Sequence, residues 1–153
     1  MNKKFLVCAF SLLAAIATSG TATAQRNVTP AVERDPLLEA DAKHNLDVAW
    51  QFFKIKKAYK GVLGRFEETY AAYPEFSKID EFLYLAGMSS YYLSQNKGSQ
   101  KVDLKLDKEK DKFAPAKLKD EARAYLSTIV DKYPQSAYSE RAASALKLLE
   151  AGK

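Results

Sequence analysis

The stretch Tyr73-Pro74-Glu75-Phe76-Ser77-Lys78-Ile79-Asp80-Glu81 has a second copy in Tyr133-Pro134-Gln135-Ser136-Ala137-Tyr138-Ser139-Glu140-Arg141, aligned without a gap. In each copy an amphipathic pattern stops at Tyr-Pro, because the residue before proline is pushed out of the helical region. A short polar turn follows, and a new periodic pattern starts beside an acidic residue, which suits the positive end of a helix. A unit of helix, turn and helix that recurs along a chain is the signature of a solenoid, in which neighbouring units stack to bury a shared core. Solenoids present extended surfaces to other molecules. The chain therefore reads as a binding scaffold before any residue suggests chemistry.

Outward from the two copies, apolar spacing marks about five helices and no convincing strand. Asp35-Pro36 has the form of an N-cap followed by proline at the first helical position, where its missing N–H loses nothing. Leu46, Ala49, Trp50 and Phe53 give the first helix one buried stripe, to about Ile55. Tyr59, Val62, Leu63, Phe66 and Tyr70 mark the second helix, and Ile79, Phe82, Leu83, Ala86, Ser90 and Leu93 the third. Ser77 and Asp80 are spaced as a capping box for that third helix. Gly87, within it, is expected to let a neighbouring helix come close. Pro115 opens the fourth helix, with Leu118, Ala122, Tyr125, Leu126, Ile129 and Val130 on its stripe. Ser136 is placed to cap a fifth, which carries Tyr138, Ala142, Ala145, Leu146 and Leu149. Residues 94–114 form an insertion rich in Lys, Asp, Ser and Gln, in which Val102, Leu104 and Leu106 allow a brief extended piece. The insertion reads as a solvated charged loop, with a contact loop as the functional alternative.

The N-terminus has the layout of an export signal. Lys3 and Lys4 precede an uncharged apolar run over residues 5–17, and Ala22-Thr23-Ala24 follows as a signal-peptidase pattern. Residues 1–24 are thus expected to be cleaved, 25–34 to form a flexible tether, and 35–151 to form the helical domain. The apolar run is shorter than the ~20 residues that a membrane span needs, and no span is expected in the mature chain. Cys8 lies at the start of the apolar run, not at its end where a lipid-bearing cysteine belongs, so no lipobox is read. With Cys8 gone, disulfides, thiolate metal sites and cysteine nucleophiles are excluded together. Removing Lys3 and Lys4 lowers the formal charge from +5 to +3, too small and dispersed a surplus for nucleic acid.

Registered on the two prolines, the chain resembles tetratricopeptide repeats. One repeat covers about residues 43–76, with Trp50, Phe53, Tyr59, Phe66 and Pro74 near motif positions. A second starts at Asp80, shows Leu83, Ala86 and Gly87, and resumes after the insertion with Ala122, Leu126, Ile129 and Pro134. The fifth helix is similar to half of a third repeat, serving as a cap. The resemblance implies an all-α fold: a right-handed solenoid of antiparallel, tetratricopeptide-like helix pairs. More narrowly, Tyr-Pro, a polar turn and Asp80-Glu81-Phe82-Leu83-Tyr84-Leu85-Ala86-Gly87 resemble the repeats of the outer-membrane assembly lipoprotein D (BamD-like) family. That family implies a periplasmic location at the outer membrane and protein partners in the cell envelope, with the barrel-assembly machine foremost. The other role open to such a fold is as an accessory of cell-wall or cell-division complexes.

In the repeat register, first-helix side chains turned away from the second helix line a concave groove. This places His44, Asp47, Gln51 and Lys54 from the first repeat in a protein-binding groove. Glu81, Tyr84, Met88, Tyr91 and Tyr92 come from the second, and Arg141, Ser144 and Leu148 from the cap. Aromatic anchors with a polar rim are the usual anatomy of a peptide-binding surface, and methionine adapts to varied partners. The competing reading packs Tyr84, Tyr91 and Tyr92 against the insertion or the cap. His44 stands between Asp41 and Asp47, but a metal needs three or four convergent ligands, so this reads as a solvated helix face. Ser89 and Ser90 have no histidine nearby in sequence, and Glu67-Glu68 diverge on a helix. No catalytic residue, metal or cofactor is expected.

Overall fold

The computed structural model describes residues 34–151. The expected signal peptide and nearly all of the expected tether lie outside the described residues. Five long helices make up most of the described residues: α1 (Pro36–Gln51), α2 (Tyr59–Ala72), α3 (Ile79–Ser94), α5 (Pro115–Lys132) and α6 (Ser139–Glu150). A short helix α4 (Asp107–Lys112) lies in the insertion, so a sixth helix stands where a loop was expected. No strand occurs among the described residues, and the extended piece around Val102 does not pair.

Asp35 caps α1 as its spacing predicts: its carboxylate accepts from the Leu37 and Leu38 amides at 2.8 and 3.3 Å. The helix runs on from Gln51 as a π turn, Phe52–Lys56, and stops where Lys57 adopts the left-handed conformation at φ 51°. Both Tyr-Pro segments then fold alike. The Phe76 amide donates to the Tyr73 carbonyl and the Ile79 amide to that of Phe76. In the second copy the Ser136 amide donates to Tyr133 and the Ser139 amide to Ser136 in the same pattern. The repetition in sequence is thus a repetition in backbone hydrogen bonding.

The predicted capping box does not form. Lys78 is the N-cap of α3 and no side chain caps it. Ser77 instead hydrogen-bonds the Glu39 carboxylate on α1, and Asp80 accepts from Ser136 Oγ at 2.5 Å. Ser136 in turn accepts from the Tyr138 amide at 3.0 Å, a local turn before α6, whose N-cap is Tyr138 itself. Partners from other elements have displaced the reciprocal local pair, and the result is a polar tie from α3 to the turn before α6.

Each long helix packs on the next in chain order, and α3 is the centre, lying between α2 and α5 with lighter contacts to α1 and α6. Its buried side chains run round almost the whole helix, from Ile79, Phe82 and Leu83 to Leu85, Met88 and Leu93. A helix apolar on all sides belongs inside a core. Gly87 allows α5 to close on it, since a Cβ there would lie 2.8 Å from Leu126 Cγ. Tyr70, expected on the buried stripe of α2, is 49% exposed and stacks on Phe66 with ring centroids 5.3 Å apart.

The insertion folds back as a strap over α2 and the turn before it. The Ser99 amide and hydroxyl donate to the Lys57 and Lys56 carbonyls at 2.9 and 2.8 Å. Gln100 accepts from the Gly61 amide, and the Lys60 ammonium reaches both the Lys101 carbonyl at 2.7 Å and Glu109 at 2.6 Å. Lys112 pairs with Glu67, and buried Phe113 anchors the far end.

Candidate protein-binding cleft

The helices α1, α3 and α6 each contribute to one belt of aromatic and charged side chains. Trp50 of α1 donates its indole N–H to Glu81 Oε1 of α3 at 2.6 Å, and the Lys54 ammonium lies 4.1 Å above the indole. On its other side the Glu81 carboxylate lies near the Tyr138 phenol, which precedes α6. The Tyr138 ring packs on Tyr84 at 5.2 Å, and the Arg141 guanidinium sits 5.9 Å over it. Burial, then the nearby Glu81 carboxylate, push the Tyr138 phenol up to about 12. Burial also raises the Tyr84 phenol, although nearby Arg141 acts in the opposite sense.

Beyond this belt, α3 and α6 enclose a cleft of about 360 Å³ lined by Tyr84, Met88, Glu140, Arg141, Ser144, Ala145 and Leu148. Its apolar wall comes from Tyr84, Met88, Ala145 and Leu148, with Met88 buried and Leu148 48% exposed at the mouth. Arg141 is exposed, forms no ion pair among the described residues, and shares the cleft rim with Glu140. Ser144 donates to the Glu140 carbonyl at 2.9 Å, which leaves the hydroxyl oxygen as an acceptor on the rim.

The structure thus brings together Tyr84, Met88, Arg141, Ser144 and Leu148, and joins Glu81 and Lys54 to them through Trp50 and Tyr138. His44, Asp47 and Gln51 are exposed on α1 and do not line the cleft. Tyr91 and Tyr92 follow the competing reading. Tyr91 is only 8% exposed, and Tyr92 packs on Tyr59 at 5.1 Å and Phe53 at 6.1 Å, beneath the Lys97 ammonium of the strap. The strap covers the end of α3 that the repeat register leaves open, so these two rings serve the core. Sequence reasoning missed Trp50 and Tyr138, both read as core; each ring is half-buried, Trp50 gives its N–H to Glu81, and the Tyr138 phenol lies near that carboxylate. Tetratricopeptide spacing of first-helix aromatics was the signal that could have found them.

The family described as YfiO, outer membrane lipoprotein, matches residues 13–152. The chain belongs to the YfiO family. This is the BamD-like group that the Tyr-Pro segments resemble, and the match covers the whole helical region. No curated protein and no solved structure gives a match. Among the described residues of this YfiO chain no helix is long and apolar enough to cross a membrane. Nor do three or more His, Cys, Asp or Glu side chains converge there as a metal site would require.

Proposed function

We propose that the chain is a non-catalytic periplasmic scaffold for protein–protein interaction, with a part in outer-membrane protein assembly. On this reading its helices form a right-handed tetratricopeptide-like solenoid of about two repeats and a cap, exported by a cleaved signal over residues 1–24. The observation that carries it is the cleft between α3 and α6, continued by the belt to Trp50, in a member of an outer membrane lipoprotein family. A half-buried aromatic wall beside a free guanidinium suits a segment that offers an apolar side chain to Met88 and Leu148 and an acceptor to Arg141. The partners are proteins or peptides of the cell envelope, the barrel-assembly machine foremost.

Photo-crosslinking from position 148, at the cleft mouth, tests this in the native envelope. Adducts to barrel-assembly components or to unfolded outer-membrane proteins are expected, and Arg141→Ala should deplete them. Adducts confined to cell-wall or division proteins would move the scaffold to those complexes. The absence of any adduct that depends on Arg141 would remove the cleft from the function.

A further inference from the structure

Two lysine-rich segments meet at the turn between α1 and α2. The residues from Phe52 to Gly61 include Lys54, Lys56, Lys57 and Lys60 and no acid, and residues 94–102 include Lys97 and Lys101 and no acid. The strap brings them together through the Ser99 contacts to the Lys56 and Lys57 carbonyls. Gly98 makes the close seating possible. Its φ is +98°, and a Cβ there would lie 2.5 Å from the Lys57 carbonyl oxygen.

Lys60 spends its charge on Glu109, whereas Lys56, Lys57 and Lys97 have no carboxylate partner among the described residues. Lys56 and Lys97 lie over the Phe52 and Tyr92 rings, which hold their positions without cancelling their charge. Among these cations stands Ile55, 77% exposed and the most exposed large hydrophobic of the described residues. The π turn and the left-handed Lys57 end the helix here and leave residues 54–57 all exposed. Single exposed apolar side chains are common, as Leu37 at 71% shows here, but Ile55 differs in standing among unpaired lysines, and a purely acidic peptide would leave it in water. An interface that is anionic at its surface and apolar just beneath satisfies both features.

We propose that this turn, with the strap seated on it, contacts an anionic phospholipid surface, Ile55 entering the interface while Lys56, Lys57 and Lys97 meet lipid phosphates. The site is separate from the α3–α6 cleft and rests on the envelope location, not on the cleft's role. It would orient the scaffold at a membrane whatever else holds the chain there.

Co-sedimentation of the full processed chain with vesicles tests it. Binding to phosphatidylglycerol-containing vesicles, little binding to phosphatidylcholine vesicles, and loss in high salt are expected. Each lysine near an anionic surface contributes roughly fivefold, so K56Q/K57Q/K97Q should weaken binding by roughly a hundredfold. Ile55→Ser should also weaken it, most visibly in salt, and both variants should keep the native circular dichroism melt. Equal binding to neutral vesicles, or a triple variant that binds like the parent, would overturn the proposal. Binding to polyglutamate as tight as to the vesicles, with no loss on Ile55→Ser in either case, would overturn it in favour of an acidic protein partner. Failure of the crosslinks at position 148 would not touch this result, so the two readings fail separately.

Discussion

Two helical glycines with opposite surroundings show how local space decides the sign of a substitution. A Cβ at Gly64 would have nothing within 4 Å, whereas one at Gly87 would meet Leu126 Cγ at 2.8 Å and Cδ2 at 3.0 Å. Gly64→Ala should therefore stabilise by about 1 kcal/mol, the helix-propensity difference alone. Gly87→Ala should instead destabilise, since overpacking costs about 1–3 kcal/mol and outweighs that gain. Thermal melts of the two variants read the signs directly, and a shared sign would mean α5 can move away from α3. The tyrosines supply a second residue-scale expectation. Burial first, then Glu121, pushes the Tyr125 phenol up to about 12, the value that Tyr138 also reaches, from an unfolded value of 10.0. Between those values the unfolded chain releases protons that the folded chain still holds. Stability is thus intact below the unfolded value and falls as pH rises through the window. Urea midpoints should drop across it, and Tyr138→Phe should make the drop shallower.

At the scale of elements, features with local causes were legible and features with distant causes were not. Asp35-Pro36 and the two Tyr-Pro stops act within a turn of their own position, and the structure places caps and ends there. The Ser77/Asp80 pair has the right spacing, yet Glu39 and Ser136 reach it from other elements and win. Tyr92 follows the repeat register but lies beneath Lys97 of the strap, with Tyr91 buried beside it. That strap gives the next expectation. The Lys60 ammonium first, then the Asp103 amide, hold the Glu109 carboxyl below its ordinary value, which ties α4 to α2. Lys60→Met should speed hydrogen exchange at Val102, Asp103 and the α4 amides and leave α3 and α5 protected. Uniform acceleration through the core would mean that the strap is part of the global fold. The parent's strap should also loosen in acid, because a depressed carboxyl loses its contribution as pH falls through the folded value.

Across the whole molecule, the order of packing explains why one repeat signature sufficed to read so much. Consecutive long helices contact one another, so periodicity along the chain maps onto neighbours in space, and the core is nearly a record of the stripes. The belt is different in kind, since the Glu81 carboxylate of α3 accepts from Trp50 of α1 and lies near Tyr138 at the entry to α6. Trp50 is the only tryptophan in the chain. Its indole N–H is therefore a built-in optical reporter, and whatever disturbs Glu81 from the α6 side should change its emission. Tyr138→Phe should shift the fluorescence of an indole that lies on another helix, without any label. An occupant of the cleft that displaces Arg141 or Tyr138 would then announce itself as a change of colour and brightness in the native protein.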